Sequence, residues 1–142
     1  MVRVCDGASL PRADRSKTYM LRSFGGKGHE IWDVTDSANP VRLAQIGGNY
    51  TDTHKSWWEC DTGIAYVVSG LPDWRTKRMT EIYDLSDPSK PVKIRDFGLP
   101  GQEPGATGPV PTELHGPISM PSINRVYRLR LHQGRHPADR RP

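Results

Sequence analysis

The sequence predicts an all-β fold. Three observations carry that prediction: a turn-rich composition, strand-sized runs of aromatic and β-branched residues, and an internal repeat. The chain has 142 residues with 14 Gly and 13 Pro, which suits many short strands joined by turns better than a helical bundle. Neither a glycine period nor sustained heptads occur, so collagen-like and coiled-coil chains are excluded. The length is that of one domain. No apolar run reaches the ~20 residues of a membrane-spanning helix. The segment Met1–Asp6 contains no apolar core of a signal peptide.

The repeat is the most informative feature. Glu30-Ile31-Trp32-Asp33-Val34-Thr35-Asp36, followed by Pro40-Val41-Arg42-Leu43, recurs 51 positions later as Glu81-Ile82-Tyr83-Asp84-Leu85-Ser86-Asp87 and Pro91-Val92-Lys93-Ile94. A second register relates His54 and Tyr66 to His115 and Tyr127, each pair 12 residues apart. Each copy reads as strand, turn, strand. The aromatic and β-branched residues suit a half-buried sheet. Asp33, Asp36, Asp84 and Asp87 then stop the chain in turns, because short carboxylates bond nearby backbone N–H groups. Pro40 and Pro91 fix φ just before the next strand, where no ladder N–H is required.

Ahead of the second copy, Lys55–Cys60 turns at Asp61-Thr62-Gly63 into the apolar run Ile64–Val68. One unit is therefore four short antiparallel strands over residues 54–98, the size and content of a β-propeller blade. Residues 16–48 supply the last three strands of a preceding blade (Lys17–Phe24, His29–Val34, Val41–Ile46), and 115–127 begin a third. The predicted architecture is an incomplete β-propeller of roughly two and a half four-stranded antiparallel blades. Residues 1–15 are expected to be an N-terminal extension and 128–142 a basic tail outside the fold. A propeller ring takes four to eight blades, so further blades or another copy are needed to close it. A small closed β domain is the alternative.

The net charge of +4 belongs to the tail, where Arg128, Arg130, Arg135, Arg140 and Arg141 face one acid, Asp139. The rest of the chain is neutral and offers no basic footprint for nucleic acid. A one-nucleotide shift of frame over the tail codons can encode a further strand ending in Ile-Val-Asp, which points to a frameshift near codon 128. Cys5 and Cys60 are in no metal-ligand spacing. A disulfide is one reading and two unpaired thiols the favoured one.

The segment Ile82-Tyr83-Asp84-Leu85-Ser86-Asp87-Pro88-Ser89-Lys90-Pro91-Val92 resembles the LVIVD repeat of bacterial and archaeal β-propeller proteins. Ile31 to Val41 resembles it too, with Ser37 in place of the first proline. The resemblance covers about residues 16–127. It implies the propeller fold and an exported or cell-surface protein, although no signal peptide is seen here. It implies no catalytic residue pattern.

His54 and His115 sit at equivalent positions, at the start of strands expected to face the axial channel. Such imidazoles can ligate a transition metal or polarise a substrate. The plainer reading is that each bonds a neighbouring blade and fixes packing, since two histidines without a third ligand make a weak metal signal. Asp52 places a carboxylate near His54, as an acid–base pair requires, but no nucleophile motif accompanies it. Of Trp57 and Trp58, one should enter the core and the other face a ligand or the blade interface. Gly25-Gly26-Lys27-Gly28 lacks the spacing of a phosphate loop and reads as a hairpin turn. The long Gly98–Pro117 segment is either a functional loop or a disordered insertion. With Trp74, Trp57 and Glu113 it supplies the candidate partner contacts. No cofactor is predicted. The expected function is a non-catalytic scaffold for a protein or small-molecule ligand. The alternatives are a metal-dependent enzyme with an axial-channel histidine site, and a truncated product without function, whose open edges invite aggregation.

Overall fold

Alternating side-chain directions along β-strands let one face of each strand enter a core while the other stays outside. In the computed structural model, which describes residues 1–130, this produces three antiparallel sheets of four, four and two strands, none closed. The first comprises Val2–Asp6 (β1), Thr18–Ser23 (β2), His29–Asp33 (β3) and Val41–Ile46 (β4), paired in chain order. The second repeats the plan with Trp57–Trp58 (β5), Ile64–Ser69 (β6), Met79–Asp84 (β7) and Val92–Phe97 (β8). Leu114–Met120 (β9) and Arg125–Arg130 (β10) form the third. The sequence repeat is also a repeat of register. The β3–β4 ladder shifts between Ile31 and Trp32, and the β7–β8 ladder shifts at the same repeat position, between Ile82 and Tyr83.

Two boundaries differ from the sequence expectation. Residues 1–15 are not merely an extension, because β1 pairs with β2 over its whole length. The first sheet therefore has four strands, not three. Its Val-Arg-Val-Cys alternation is strand-like, but β1 lies upstream of the repeated segment and had no copy to align with. The basic tail likewise begins inside the fold, since Arg128, Leu129 and Arg130 belong to β10 and pair with Pro117, Gly116 and Leu114. The remainder of the tail, 131–142, lies outside the described residues.

The repeated aspartates act on the turns after β3 and β7. Asp33 accepts from the Thr35 N–H at 3.0 Å and hydroxyl at 2.6 Å, and Asp84 accepts from the Ser86 N–H at 2.8 Å and from its hydroxyl. Asp36 and Asp87 accept the N–H groups of Ala38 and Ser89, both at 3.0 Å. The Thr35 hydroxyl, with Lys17 next, holds the Asp33 carboxyl down at about 2. Pro40 and Pro91 immediately precede β4 and β8. Gly25–Lys27 forms a single 3₁₀ turn between β2 and β3.

Cys5, Tyr19, Leu21 and Ile31 of the first sheet meet Trp58, Ala65, Val67 and Tyr83 of the second in one buried cluster. Cys5 is joined by a disulfide to Cys60, with Cα atoms 5.5 Å apart. This corrects the expectation of two unpaired thiols. The first strands of the two sheets, β1 and β5, lie in contact, which brings together cysteines 55 residues apart in sequence. At the outer edge β8 is exposed along its whole length. Lys93, Arg95 and Asp96 break up its apolar residues there, and such charges discourage edge-to-edge pairing.

The β5–β6 turn needs a left-handed residue, and Gly63 supplies it with φ +75°. A Cβ at this position would meet Ser86 Cα at 2.6 Å. Gly63→Ala is therefore expected to cost at least ~1 kcal/mol, read as a lower urea midpoint. An unchanged midpoint would show that the turn relaxes freely.

Candidate functional site

The sequence-predicted histidines do come together. His54 precedes β5 and is fixed by its backbone: its N–H donates to the Val68 carbonyl at 3.1 Å, and its own carbonyl accepts the Ser23 hydroxyl at 2.7 Å. His115 is the second residue of β9. The two rings meet edge to face with centroids 4.8 Å apart. Each is preceded by an acid two residues earlier, Asp52 and Glu113. Arg78 lies between these acids, its Nε 2.6 Å from Asp52 Oδ2 and 3.8 Å from Glu113 Oε2. The Arg78 carbonyl accepts the Leu114 N–H at 3.2 Å. Arg78 thus clasps the starts of β5 and β9 from the approach to β7.

This electrostatic arrangement decides what the cluster can do. Burial, then the charge of Arg78 and the proximity of His115, lower the His54 pKa, so its imidazole is neutral at neutral pH. Its Nε2 is buried, with no partner among the described residues. Neutral imidazoles can bind a transition metal, but the neighbouring Asp52 carboxylate is committed to Arg78. Among the described residues no three metal-ligating groups converge. The pair offers two nitrogens and no more, and Asp52 bonds Arg78 rather than orienting an imidazole.

Glu113 also borders a cleft of about 370 Å³, where Arg75, Thr76 and Lys77 face Val110 and Pro111. The long Gly98–Pro117 segment forms its far wall and is held by specific bonds. The buried Gln102 side chain accepts from the Leu99 N–H at 2.8 Å and donates to the Thr112 carbonyl at 2.8 Å. The Arg75 guanidinium donates to the carbonyls of Gly101 at 3.1 Å and Gly108 at 2.6 Å. Trp74, half-buried, lies against Gly98, where a Cβ would come within 2.2 Å of its ring. Trp57 is half-buried beneath the Arg3 guanidinium, 4.3 Å from the ring centroid, while Trp58 is in the core.

A second polar cluster was not anticipated. Glu81 is 2% exposed between the first two sheets. It accepts from the Tyr50 and Tyr83 hydroxyls and pairs with Lys93 at 2.9 Å. Burial first, and the Glu81 charge next, push the Tyr83 phenol up to about 12. Against the cost of burial, Asp96 and Glu81 hold Lys93 above its usual range. Nearby, His29 Nε2 lies 3.1 Å from the Ser69 hydroxyl. Glu30 repeats the theme on the other face of the first sheet, bound by Arg22 at 2.6 Å, Trp32 at 3.0 Å and Arg42 at 3.3 Å. The recurrence of Glu ahead of Ile at Glu30 and Glu81 was the available signal. An acid at the same position of both strands means a carboxylate with a fixed structural partner set. Since Glu81, His29 and Ser69 are all buried, they stabilise the sheet interface and present nothing to a substrate.

Fold and site together define an all-β protein of stacked antiparallel sheets, with a histidine pair and a polar cleft near the starts of β5 and β9. No family model, curated protein or solved structure matches the chain.

Proposed function

We propose that this chain is part of an LVIVD-like β-propeller and acts as a non-catalytic binding scaffold, with the cleft beside Glu113 as its contact surface. The observation that carries this reading is the ordering of the Gly98–Pro117 segment. Gln102 and Arg75 hold a glycine- and proline-rich loop in one conformation, and such preorganisation lowers the entropic cost of binding. Four-stranded antiparallel sheets stacked in chain order, with register shifts at repeat-equivalent positions, support the propeller. The Cys5–Cys60 bridge suits an oxidising compartment and supports export. A peptide-display selection on the whole chain tests the scaffold. Enriched peptides should bind at least about tenfold more weakly to a Lys77→Glu, Val110→Ala variant that alters two cleft-lining residues, a change of ~1.4 kcal/mol. Failure to enrich any peptide, or equal binding by the variant, would remove the cleft as the contact surface.

The approach of His54 and His115 favours one second reading, a metal-dependent enzyme. Calorimetric titration with Zn²⁺ or Ni²⁺ separates the two. The scaffold predicts no stoichiometric binding, whereas one equivalent of metal bound by the intact chain and lost in His54→Ala, His115→Ala would favour the enzyme.

A further inference from the structure

We propose that the chain associates with a second copy of itself head to tail, the third sheet of one copy covering the first sheet of the next. The inference rests on the stacked-repeat reading above. Ladder register makes the three sheets equivalent position by position. Met20 pairs with Val4, Ala65 with Trp58, and Val126 with Ser119. The turn before the second strand is left-handed at Gly63 and again at Asn124, with φ +75° and +53°. Every sheet accordingly has a forward and a rear face.

Two such interfaces already exist within the chain. The forward face of the first sheet (Cys5, Leu21, Ile31) covers the rear face of the second (Trp58, Ala65, Tyr83). The forward face of the second then covers the rear face of the third. There Glu59 accepts from the Ser119 hydroxyl, and the Arg128 guanidinium lies 3.8 Å from the Phe97 ring centroid and 6.0 Å from that of Tyr66. Burial lowers the Arg128 pKa to about 10, which leaves it charged at neutral pH for this cation–π contact.

Among the described residues, one face of each kind remains uncovered. The rear face of the first sheet presents Val2 and Val4, 50% and 55% exposed, with half-buried Met20, Arg22 and Trp32. The forward face of the third presents Ile118, Met120 and Tyr127, 42%, 45% and 51% exposed. Arg22 occupies the repeat position of Arg128, and Tyr127 that of Tyr66. A second copy seated by the same stacking operation places Arg22 over Tyr127, as Arg128 lies over Tyr66. The carboxylate on the rear face needs no new partner, because Glu30 is already paired with Arg22 and Arg42. Rear-to-rear contact would set one Arg22–Glu30–Arg42 cluster, with two cations to one carboxylate, against another, so charge disfavours a two-fold dimer. The contact is heterologous, and closes into a ring or extends as a filament according to its rotation.

Sedimentation of the full chain tests this, with Val4→Glu blocking the rear face and Ile118→Glu the forward face. Circular dichroism confirms that each variant is folded, and Met20→Lys and Tyr127→Ser serve as second variants. The wild-type mass should rise with concentration, and each variant alone should remain a single chain. Their equimolar mixture should stop at a two-chain species, since one intact face of each kind is left. A wild type that stays a single chain overturns the proposal, as does a variant that associates like wild type or a mixture that fails to pair. The underlying reading has its own test. Arg128→Ala should speed hydrogen exchange in β9 and β10, and unchanged exchange there would sink the stacked-repeat reading whatever the mixing shows.

Discussion

Replacing Cys5 and Cys60 together by serine is expected to lower the stability of this chain by roughly 4 kcal/mol, the loop-closure entropy of a bridge across a segment this long. The bridge spans 55 residues and ties β1 of the first sheet to the turn after β5 of the second. Without it, their association rests on the shared apolar cluster and on polar contacts across it, among them Ser23 with His54, His29 with Ser69 and Arg3 with Trp57. Cys5 is buried, so serine also places a hydroxyl in an apolar site and adds to the loss. Domains of this size are stable by only ~5–15 kcal/mol, which makes the bridge a large share of the total. Urea unfolding of the oxidised wild type and the double variant measures the difference. Midpoints within error of one another would mean that stacking holds the sheets without the bridge.

Lowering the pH from 6.5 to 4 is expected to remove roughly 3 kcal/mol through His29 alone. Its pKa is depressed from 6.5 to about 4, chiefly by burial. The amino terminus acts in the same direction, while Glu81 and a bond to the Val68 backbone oppose it. The unfolded chain then takes up the proton first. Stability is unaffected above the unfolded value, falls as pH drops through this window, and levels off below about 4. Asp33, held at about 2, withdraws its contribution only as pH falls below its unfolded value and through 2, so the windows separate. His54 is shifted the same way as His29. His29→Gln should flatten most of the slope between pH 6.5 and 5, and adding His54→Gln should flatten it further. If His29→Gln leaves the slope unchanged, the buried imidazole is not the acid-sensitive group.

Within the candidate site, the sequence placed His54 and His115 at equivalent positions, and their rings do meet. Asp52 bonds Arg78, a residue 26 positions away that no local pattern links to it. The buried Glu81 network was half legible, as a repeated glutamate. Its Tyr50 donor comes from the connection between sheets, which has no counterpart in the repeat. Arg128 is the sharpest case. As sequence it belonged to a run of positive charge, yet in the fold it lies over Phe97 and Tyr66 where two sheets meet.

By itself the sequence determined the all-β class, the four-strand unit, the turns closed by Asp33, Asp36, Asp84 and Asp87, and a body without net charge. All of these depend on strand alternation and on hydrogen bonds reaching two or three residues along the chain. Only the tertiary structure decided the Cys5–Cys60 bridge, the membership of β1, the clasp at Arg78 and the seat of Arg128. β1 joins its sheet by pairing with residues 12–20 positions away, and the other contacts join residues 26–62 positions apart, brought together by stacking one sheet on the next. That stacking buries apolar area without regard to direction, so local residue order specifies each sheet but not which residues of its neighbour it will meet.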